Sequence, residues 1–242
     1  MRVGIFSDVH GNLQALEATL SSLEHRRVDQ LLCLGDIATL GLQPREVINR
    51  LEKMDCKILL GNHESALLFP EKHEQFGIPK FLFPTIQWCL DQIGDFGLNF
   101  IKTFAMTEKI ILNEFYSLLA FHGTPTSNFE IFDLYNDDSI SETQMFFPNT
   151  NVFAGGHTHM QILQRSKTFT FINPGSAGSV FKVLPFEPNG PMLLPFSEFS
   201  IVEAKGQELL VESFRIPFPT NEINVIASVS TYPMKDWWAK QF

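Results

Sequence analysis

Cysteine is scarce in this sequence. Its three cysteines, Cys33, Cys56 and Cys89, form no C-x-x-C pattern, and Cys33 and Cys56 fall within apolar, strand-like runs. Buried, reduced thiols are expected, and they point to the cytoplasm. Long hydrophobic runs are missing as well. The apolar stretches are strand-sized, far from the roughly 20 residues of a membrane span, so no membrane partner is expected. Positive charge is in deficit: 18 Lys and Arg stand against 27 Asp and Glu, for a formal charge of −9. Bulk nucleic-acid binding works through basic patches and is not expected of such a chain. Repeats, low-complexity tracts and an inter-domain linker are absent too. The 242 residues can bury a full core, so one domain over 1–242 is the expectation. A cleaved leader is not expected, because candidate functional residues begin at position 8.

What is present is patterned. Hydrophobic content of 44% with 19% charged residues is that of a globular protein. The run Val3 to Phe6 reads as a buried strand, and Leu13, Leu16, Leu20 and Leu23 recur at helical spacing behind it. Leu31 to Leu34 gives a second strand. Pro44 opens a second helix carrying Val47, Ile48, Leu51 and Met54, and Lys57 to Leu60 gives a third strand. Strand and helix alternating with short links predict an α/β fold with a parallel sheet. Residues 65–109 are Phe-rich with helical stripes, a helical excursion read as ordinary core rather than a substrate cap. Strands are expected at Ile110 to Leu112, Ser117 to Phe121 and Val152 to Ala154, with a polar helix around Ser139 to Phe147. The segments 161–165 and 168–172 alternate as a hairpin. Val183 to Pro195 carries four prolines and reads as a loop. A second hairpin turns at Lys205-Gly206, and the tail holds Trp237-Trp238, expected to pack on the domain.

The polar residues gather where the strands end. Asp8-x-His10 follows the first strand, Gly35-Asp36 the second and Gly61-Asn62-His63-Glu64 the third. His122-Gly123 and Gly156-His-Thr-His159 follow two later ones. Parallel sheets place their sites at these carboxyl ends. Of the seven histidines, His10, His63, His122, His157 and His159 fall in these blocks, and only His25 and His73 lie elsewhere. Taken singly, a D-x-H or an H-x-H is more often a pair of satisfied strand-end polar groups than a site. Taken together, two carboxylates, four imidazoles and an amide oxygen form a mixed N and O donor set. Such donors suit Mn, Fe, Zn, Ni or Co rather than an all-oxygen Ca or Mg cage. Seven ligands exceed one tetrahedral ion and suit two ions about 3.5–4 Å apart sharing a carboxylate.

The ordered blocks D-x-H, G-D, G-N-H-[DE], H and G-H-x-H resemble those of the calcineurin-like metallophosphoesterases. The stretches Ser7-Asp-Val-His-Gly-Asn-Leu13, Leu119-Ala-Phe-His-Gly-Thr-Pro125 and Ile172-Asn-Pro-Gly-Ser-Ala-Gly178 are similar to the bacterial phosphodiesterase-like branch. The resemblance implies a four-layer α-β-β-α sandwich and metal-dependent hydrolysis of a small phosphorylated substrate. Phosphodiesters are favoured, with phosphomonoesters or dinucleoside polyphosphates as alternatives. Asp8, His10 and His159 would hold one divalent ion and Asn62, His122 and His157 the other, with Asp36 bridging and Mn favoured. His63 would protonate the leaving group or steady the transition state, Glu64 would orient a neighbouring His, and Asn12 would contact the phosphate. The implied mechanism is in-line attack on phosphorus by a metal-bridging hydroxide.

The chain departs from the branch at the mouth of such a site. Gly35-Asp-Ile-Ala-Thr-Leu-Gly-Leu-Gln-Pro44 stands where the branch often reads G-D-x-x-G-Y-G-P-x-P, so Leu40 replaces an aromatic. The charged segment common after N-P-G-S-x-G gives way to Ser179-Val-Phe-Lys182 and the proline-rich loop. Both departures bear on the substrate rather than the reaction. The second class of function to weigh is a non-catalytic binding module on the same fold, like the retromer subunit. Such a module would be expected to lose the His of G-N-H, and His63 is intact.

Overall fold

The computed structural model describes residues 1–135, 143, 145–185 and 191–242. The first half alternates β1 (Arg2–Phe6), α1 (Leu13–His25), β2 (Gln30–Cys33), α2 (Pro44–Glu52) and β3 (Cys56–Ile58). Next come α3 (Asn62–Leu68) and α4 (Phe83–Ile101), with two short 3-10 turns between them. A second set of strands comprises β4 (Thr107–Ile111), β5 (Ser117–Phe121), β6 (Val152–Ala154), β7 (Gln161–Arg165) and β8 (Thr170–Pro174). The small ribbon of β9 (Phe181–Val183) and β10 (Met192–Leu193) precedes the long hairpin of β11 (Phe196–Lys205) and β12 (Glu208–Pro217).

These strands build two five-stranded sheets, ordered β12-β11-β1-β2-β3 and β4-β5-β6-β8-β7. Strand alternation explains why they stack. On β1 and β2, Val3, Ile5, Leu32 and Leu34 face one way. They meet Leu118, Ala120, Val152, Ala154 and Ile172 of the second sheet in a shared core. Each such fully buried Leu or Ile contributes about 1.5–3 kcal/mol over exposure. The alternate residues Phe6 and Cys33 face the other way and pack under the helices with Leu16, Leu20, Leu23, Val47 and Leu51. On the outer face of the second sheet, Leu119, Phe121, Phe153 and Phe171 gather with Phe132 and Phe169. The result is mixed α/β, two stacked sheets with helices outside. The polar helix expected around Ser139 to Phe147 lies largely outside the described residues.

Local differences from the expected elements have physical causes. The third strand stops at Ile58 rather than Leu60, and α3 starts inside the Gly61-Asn62-His63-Glu64 block. Glu64 at the third helical position reaches back to the Gly61 amide at 3.1 Å, satisfying an N-terminal donor. The helical excursion joins the core through Ile86, Cys89, Ile93 and Ile101, as expected, and α4 kinks where Gly94 takes a φ of 59°. The proline-rich segment is not all loop, since Met192 and Leu193 pair with the β9 strand. In the tail, Trp238 is buried beside Leu42 and Phe218, and its indole donates to the Leu40 carbonyl at 2.6 Å. The cysteines are free, and burial pushes the Cys56 thiol up to about 12. No helix among the described residues is long and apolar enough to cross a membrane.

Candidate metal centre

Parallel pairing in both sheets sends several strand ends to the same side. β1, β2 and β3 run parallel in one sheet, and β5 and β6 in the other. Hydrogen bonding continues beyond the strands. The amides of Asp8, His10 and Gly11 donate to the carbonyls of Gly35, Asp36 and Ile37. The Gly156 amide donates to the His122 carbonyl at 2.8 Å in the other sheet. The Asn173-Pro-Gly-Ser176 block then braces the seam. Ser176 Oγ donates to the Asp8 carbonyl at 2.7 Å, and Asn173 Nδ2 donates to the Gly156 carbonyl at 2.8 Å. Gly178 passes so close to Val9 that a Cβ there would collide with the Val9 carbonyl.

The expected ligands take an unusual backbone conformation. Asp8, His10, Asp36, His157 and His159 all have positive φ, between 46° and 67°. Side chains larger than hydrogen disfavour that region at about 1–3 kcal/mol each, and such strain collects at functional sites where the surroundings enforce it. Gly11 and Gly35 beside these residues share that conformation, with φ of 60° and 111°. Glycines and candidate ligand residues together carry the turns, which bring the side chains into one cluster.

Three sets of donor atoms come together, each within 4.8 Å: Asp8, His10 and His159; His10, Asp36 and His63; Asp36, His122 and His157. His10 Nε2 lies 3.1 Å from His159 Nε2, and His159 Nε2 lies 3.3 Å from Asp8 Oδ1. On the other side His122 Nε2 is 3.2 Å from both Asp36 Oδ2 and Asn62 Oδ1. Asp36 Oδ2 is also 3.9 Å from His10 Nε2, so one oxygen faces both sets. The sequence-predicted ligands are therefore all brought together. The far nitrogens are fixed as well: His122 Nδ1 pairs with the Leu34 carbonyl at 2.9 Å and His159 Nδ1 with the Ser179 carbonyl at 2.8 Å. These bonds leave Nε2 of each ring directed at the cluster.

Electrostatics follow from burial and proximity. Burial alone would raise the Asp8 carboxyl, but the neighbouring His159 imidazole outweighs it and holds the group down to about 2. Burial works against the charged form of His122, yet Asp36 beside it raises that imidazole to about 9. Burial, helped by His159 and His63, pushes His10 down to about 3. Burial works against the charged form of His159 too, yet Asp8 beside it raises that imidazole above its ordinary value, and a cation would compete for the same lone pairs. One atom shows that the cluster suits one. Asp8 Oδ1, which faces His10 Nε2 and His159 Nε2, is buried and makes no hydrogen bond, which is costly unless something completes it. With mixed N and O donors around it, the residues fit divalent transition ions.

Three neighbours differ from their expected roles or were missed. Glu64 does not orient a histidine: its carboxylate accepts from the amides of Asp36, Ile37 and Gly61 at 2.7–3.1 Å. It ties the second and third strand ends together, and burial raises it to about 7. Asn12 is employed as a brace. Its Oδ1 accepts from the Ala15 amide at 3.2 Å, capping α1, and its Nδ2 donates to the Gly178 carbonyl at 2.8 Å. Thr39 was not singled out by the sequence, yet its Oγ1 lies 2.6 Å from His63 Nδ1, fully buried. Its place three residues after Asp36, where the branch often has glycine, was the available signal.

The cluster floors a cavity of about 1320 Å³, onto which His10, Asp36, Asn62, His63, His157 and His159 open. Its upper lining is apolar, including Leu40, Phe81, Ile131, Met160 and Phe181.

Comparison with known proteins agrees with this architecture. An uncharacterized protein of Methanocaldococcus jannaschii is 26% identical over 192 residues, 73% of this chain and 76% of that protein. A metallophosphoesterase from Sphaerobacter thermophilus has the same fold. It aligns with 100% of this chain and 98% of its own at a TM-score of 0.70 and 23% identity. A hypothetical protein from Pyrococcus horikoshii aligns over 99% and 96% at a TM-score of 0.77 and 17% identity. The calcineurin-like phosphoesterase superfamily domain matches residues 1–186, which hold every one of the clustered ligands, and the chain belongs to that superfamily.

Proposed function

We propose that the protein hydrolyses phosphodiesters at a centre of two divalent transition ions, with manganese the favoured metal. Membership of the superfamily supports phosphoester hydrolysis in general. The observation that carries the dinuclear reading is Asp36, whose Oδ2 faces both ligand sets. Asp8, His10 and His159 would hold one ion, and Asn62, His122 and His157 the other. Bound there, the pair would neutralise phosphate charge and make water a nucleophile at neutral pH.

The chain's own groups then divide the work. His63 opens onto the cavity, and burial pushes its imidazole below the ordinary value, so it is neutral at pH 7. Thr39 Oγ1 lies 2.6 Å from His63 Nδ1, and in this reading its hydroxyl donates to that nitrogen. That places the ring proton on Nε2, where it donates to the leaving-group oxygen and steadies the charge growing there. A neutral imidazole is a poor proton source, so charge stabilisation is favoured over full protonation. No Lys or Arg lines the cavity among the described residues. This favours a singly charged diester over a doubly charged monoester or a polyphosphate.

The test is turnover of bis(p-nitrophenyl) phosphate and p-nitrophenyl phosphate by chelator-stripped protein, with and without Mn²⁺, beside Asp36→Asn and His63→Ala. Metal-dependent cleavage with the diester preferred, lost in Asp36→Asn, is the expected result. Monoester preference would make the protein a phosphomonoesterase. Metal binding without cleavage of either ester would favour the non-catalytic binding module.

A further inference from the structure

The proposed site has two parts that share one cavity, and the upper part has a chemistry of its own. Directly above the floor, the Phe181 ring lies flat on the His159 imidazole, with centroids 4.7 Å apart and planes 13° from parallel. Apolar wall therefore begins within one ring of a candidate ligand. From there it continues through Leu40, Ile78, Phe81, Ile131 and Met160. Several of these are exposed: Phe81 is 72% exposed, Ile131 67% and Met160 49%. Large apolar side chains grouped at an opening, rather than scattered singly, mark a place where something apolar binds.

Charge narrows the occupant further. A second anionic group on the substrate would need a cationic partner or water. No Lys or Arg lines the cavity among the described residues. Residues 136–142, 144 and 186–190 contain neither in sequence. Among the described residues, the one carboxylate on the lining beyond the floor, Asp133, would repel such a group. Leu40 adds an aliphatic surface, and its carbonyl is already taken by Trp238.

Resting on the proposed phosphodiesterase reading, we infer that the substrate class is a phosphodiester with one extended apolar arm and no second anion. The phosphate sits on the histidine and aspartate floor, and the arm lies along the wall from Phe181 outward. The shared chemistry is an alkyl, isoprenyl or aryl phosphodiester.

Four chromogenic esters with the same p-nitrophenyl leaving group test this on the Mn²⁺-loaded full chain: methyl, octyl, 7-carboxyheptyl and 5′-thymidyl. Each methylene that reaches the wall should raise kcat/KM about three- to four-fold. The octyl ester should thus exceed the methyl ester by ten-fold or more, and the terminal carboxylate should remove most of that gain. Phe81→Ser and Ile131→Asn, both at exposed positions, should lower the octyl-to-methyl ratio. Equal rates for the octyl, carboxyheptyl and thymidyl esters would overturn the inference while leaving phosphodiester hydrolysis standing. Absence of turnover on all four would sink the hydrolytic reading instead. The wall would then be read by calorimetric binding of octyl and methyl methylphosphonate, singly charged analogues that are not cleaved. Ten-fold tighter binding of the octyl form supports the apolar class, and equal or undetectable binding overturns it.

Discussion

The floor and the wall of the cavity are built on opposite principles. The floor is polar and mostly buried, and the backbones of Asp8, His10, Asp36, His157 and His159 sit in the left-handed region. It is cross-braced by Ser176, Asn173, Glu64 and Asn12. The wall is apolar and partly exposed, and it comes from segments outside the two sheets, such as those carrying Phe81, Ile131 and Met160. Positional accuracy is what metal chemistry needs, and a rigid double-sheet edge supplies it. Selectivity for an apolar arm needs surface area of the right kind, which loops and turns can supply without disturbing the sheets. The difference predicts that floor substitutions act on the rate of every substrate, and wall substitutions act on the ratio between substrates.

The strongest way to break that division is to alter the atom both ligand sets face. Asp36→Asn keeps the shape but removes the shared charge, and metal-dependent kcat should fall at least about 10³-fold on every ester. Metal should also stabilise the wild type, by about 2.7 kcal/mol when its concentration is a hundred times the dissociation constant. Thermal melts with and without Mn²⁺ should show a clear rise for the wild type and a smaller one for Asp36→Asn. An unchanged melt in both would mean that the cluster does not take up the ion. Next in size is His63→Ala, expected to lower kcat by about 10²–10³-fold while the metal-induced rise in melting temperature persists. Loss of that rise would make His63 a ligand, as its closeness to His10 and Asp36 permits.

Most of the floor was legible in the sequence because residues able to hold a metal must be particular types, and strand ends put them at readable places. Asp8, His10, Asp36, Asn62, His122, His157 and His159 converge as the ordered blocks implied. The bracing was not legible to the same degree. Glu64 looked like a partner for a histidine, but a buried carboxylate beside three free amides is better satisfied by them. Asn12 looked available to substrate, but it stands at the start of a helix, where its side chain caps the first turn. The wall was hardly legible at all. Apolar residues such as Phe81 and Met160 look the same in a sequence whether they enter a core or an opening. The helical excursion was read as core, and it is core along α4, yet Ile78 and Phe81 just ahead of that helix line the cavity.

The brace gives a smaller, separable effect. Gly178→Ala would press a Cβ into the Val9 carbonyl and push the Asp8 loop from the seam. Overpacking of this kind costs about 1–3 kcal/mol, to be read by urea denaturation. Because the displaced loop carries Asp8, a proposed ligand, the metal concentration needed for half-maximal activity should rise as well. A stability loss with unchanged metal dependence would show that the brace holds the sheets and not the floor.

Thr39→Val is the finest cut, because it leaves shape and burial nearly intact and removes one hydroxyl. A neutral hydrogen bond contributes about 0.5–1.5 kcal/mol, so kcat should fall only about two- to ten-fold. Without the Thr39 donor, the His63 proton is no longer confined to Nε2, and part of the population would carry it on Nδ1, turned away from the leaving group. The loss should therefore appear in kcat rather than KM, and it should grow as the leaving group becomes more basic, since more charge then awaits stabilisation. Thr39→Ser should restore most of the rate. If Thr39→Val slows esters of good and poor leaving groups equally, Thr39 supports the floor without directing the His63 proton. In that case the part played by the second strand end would reduce to Asp36 alone.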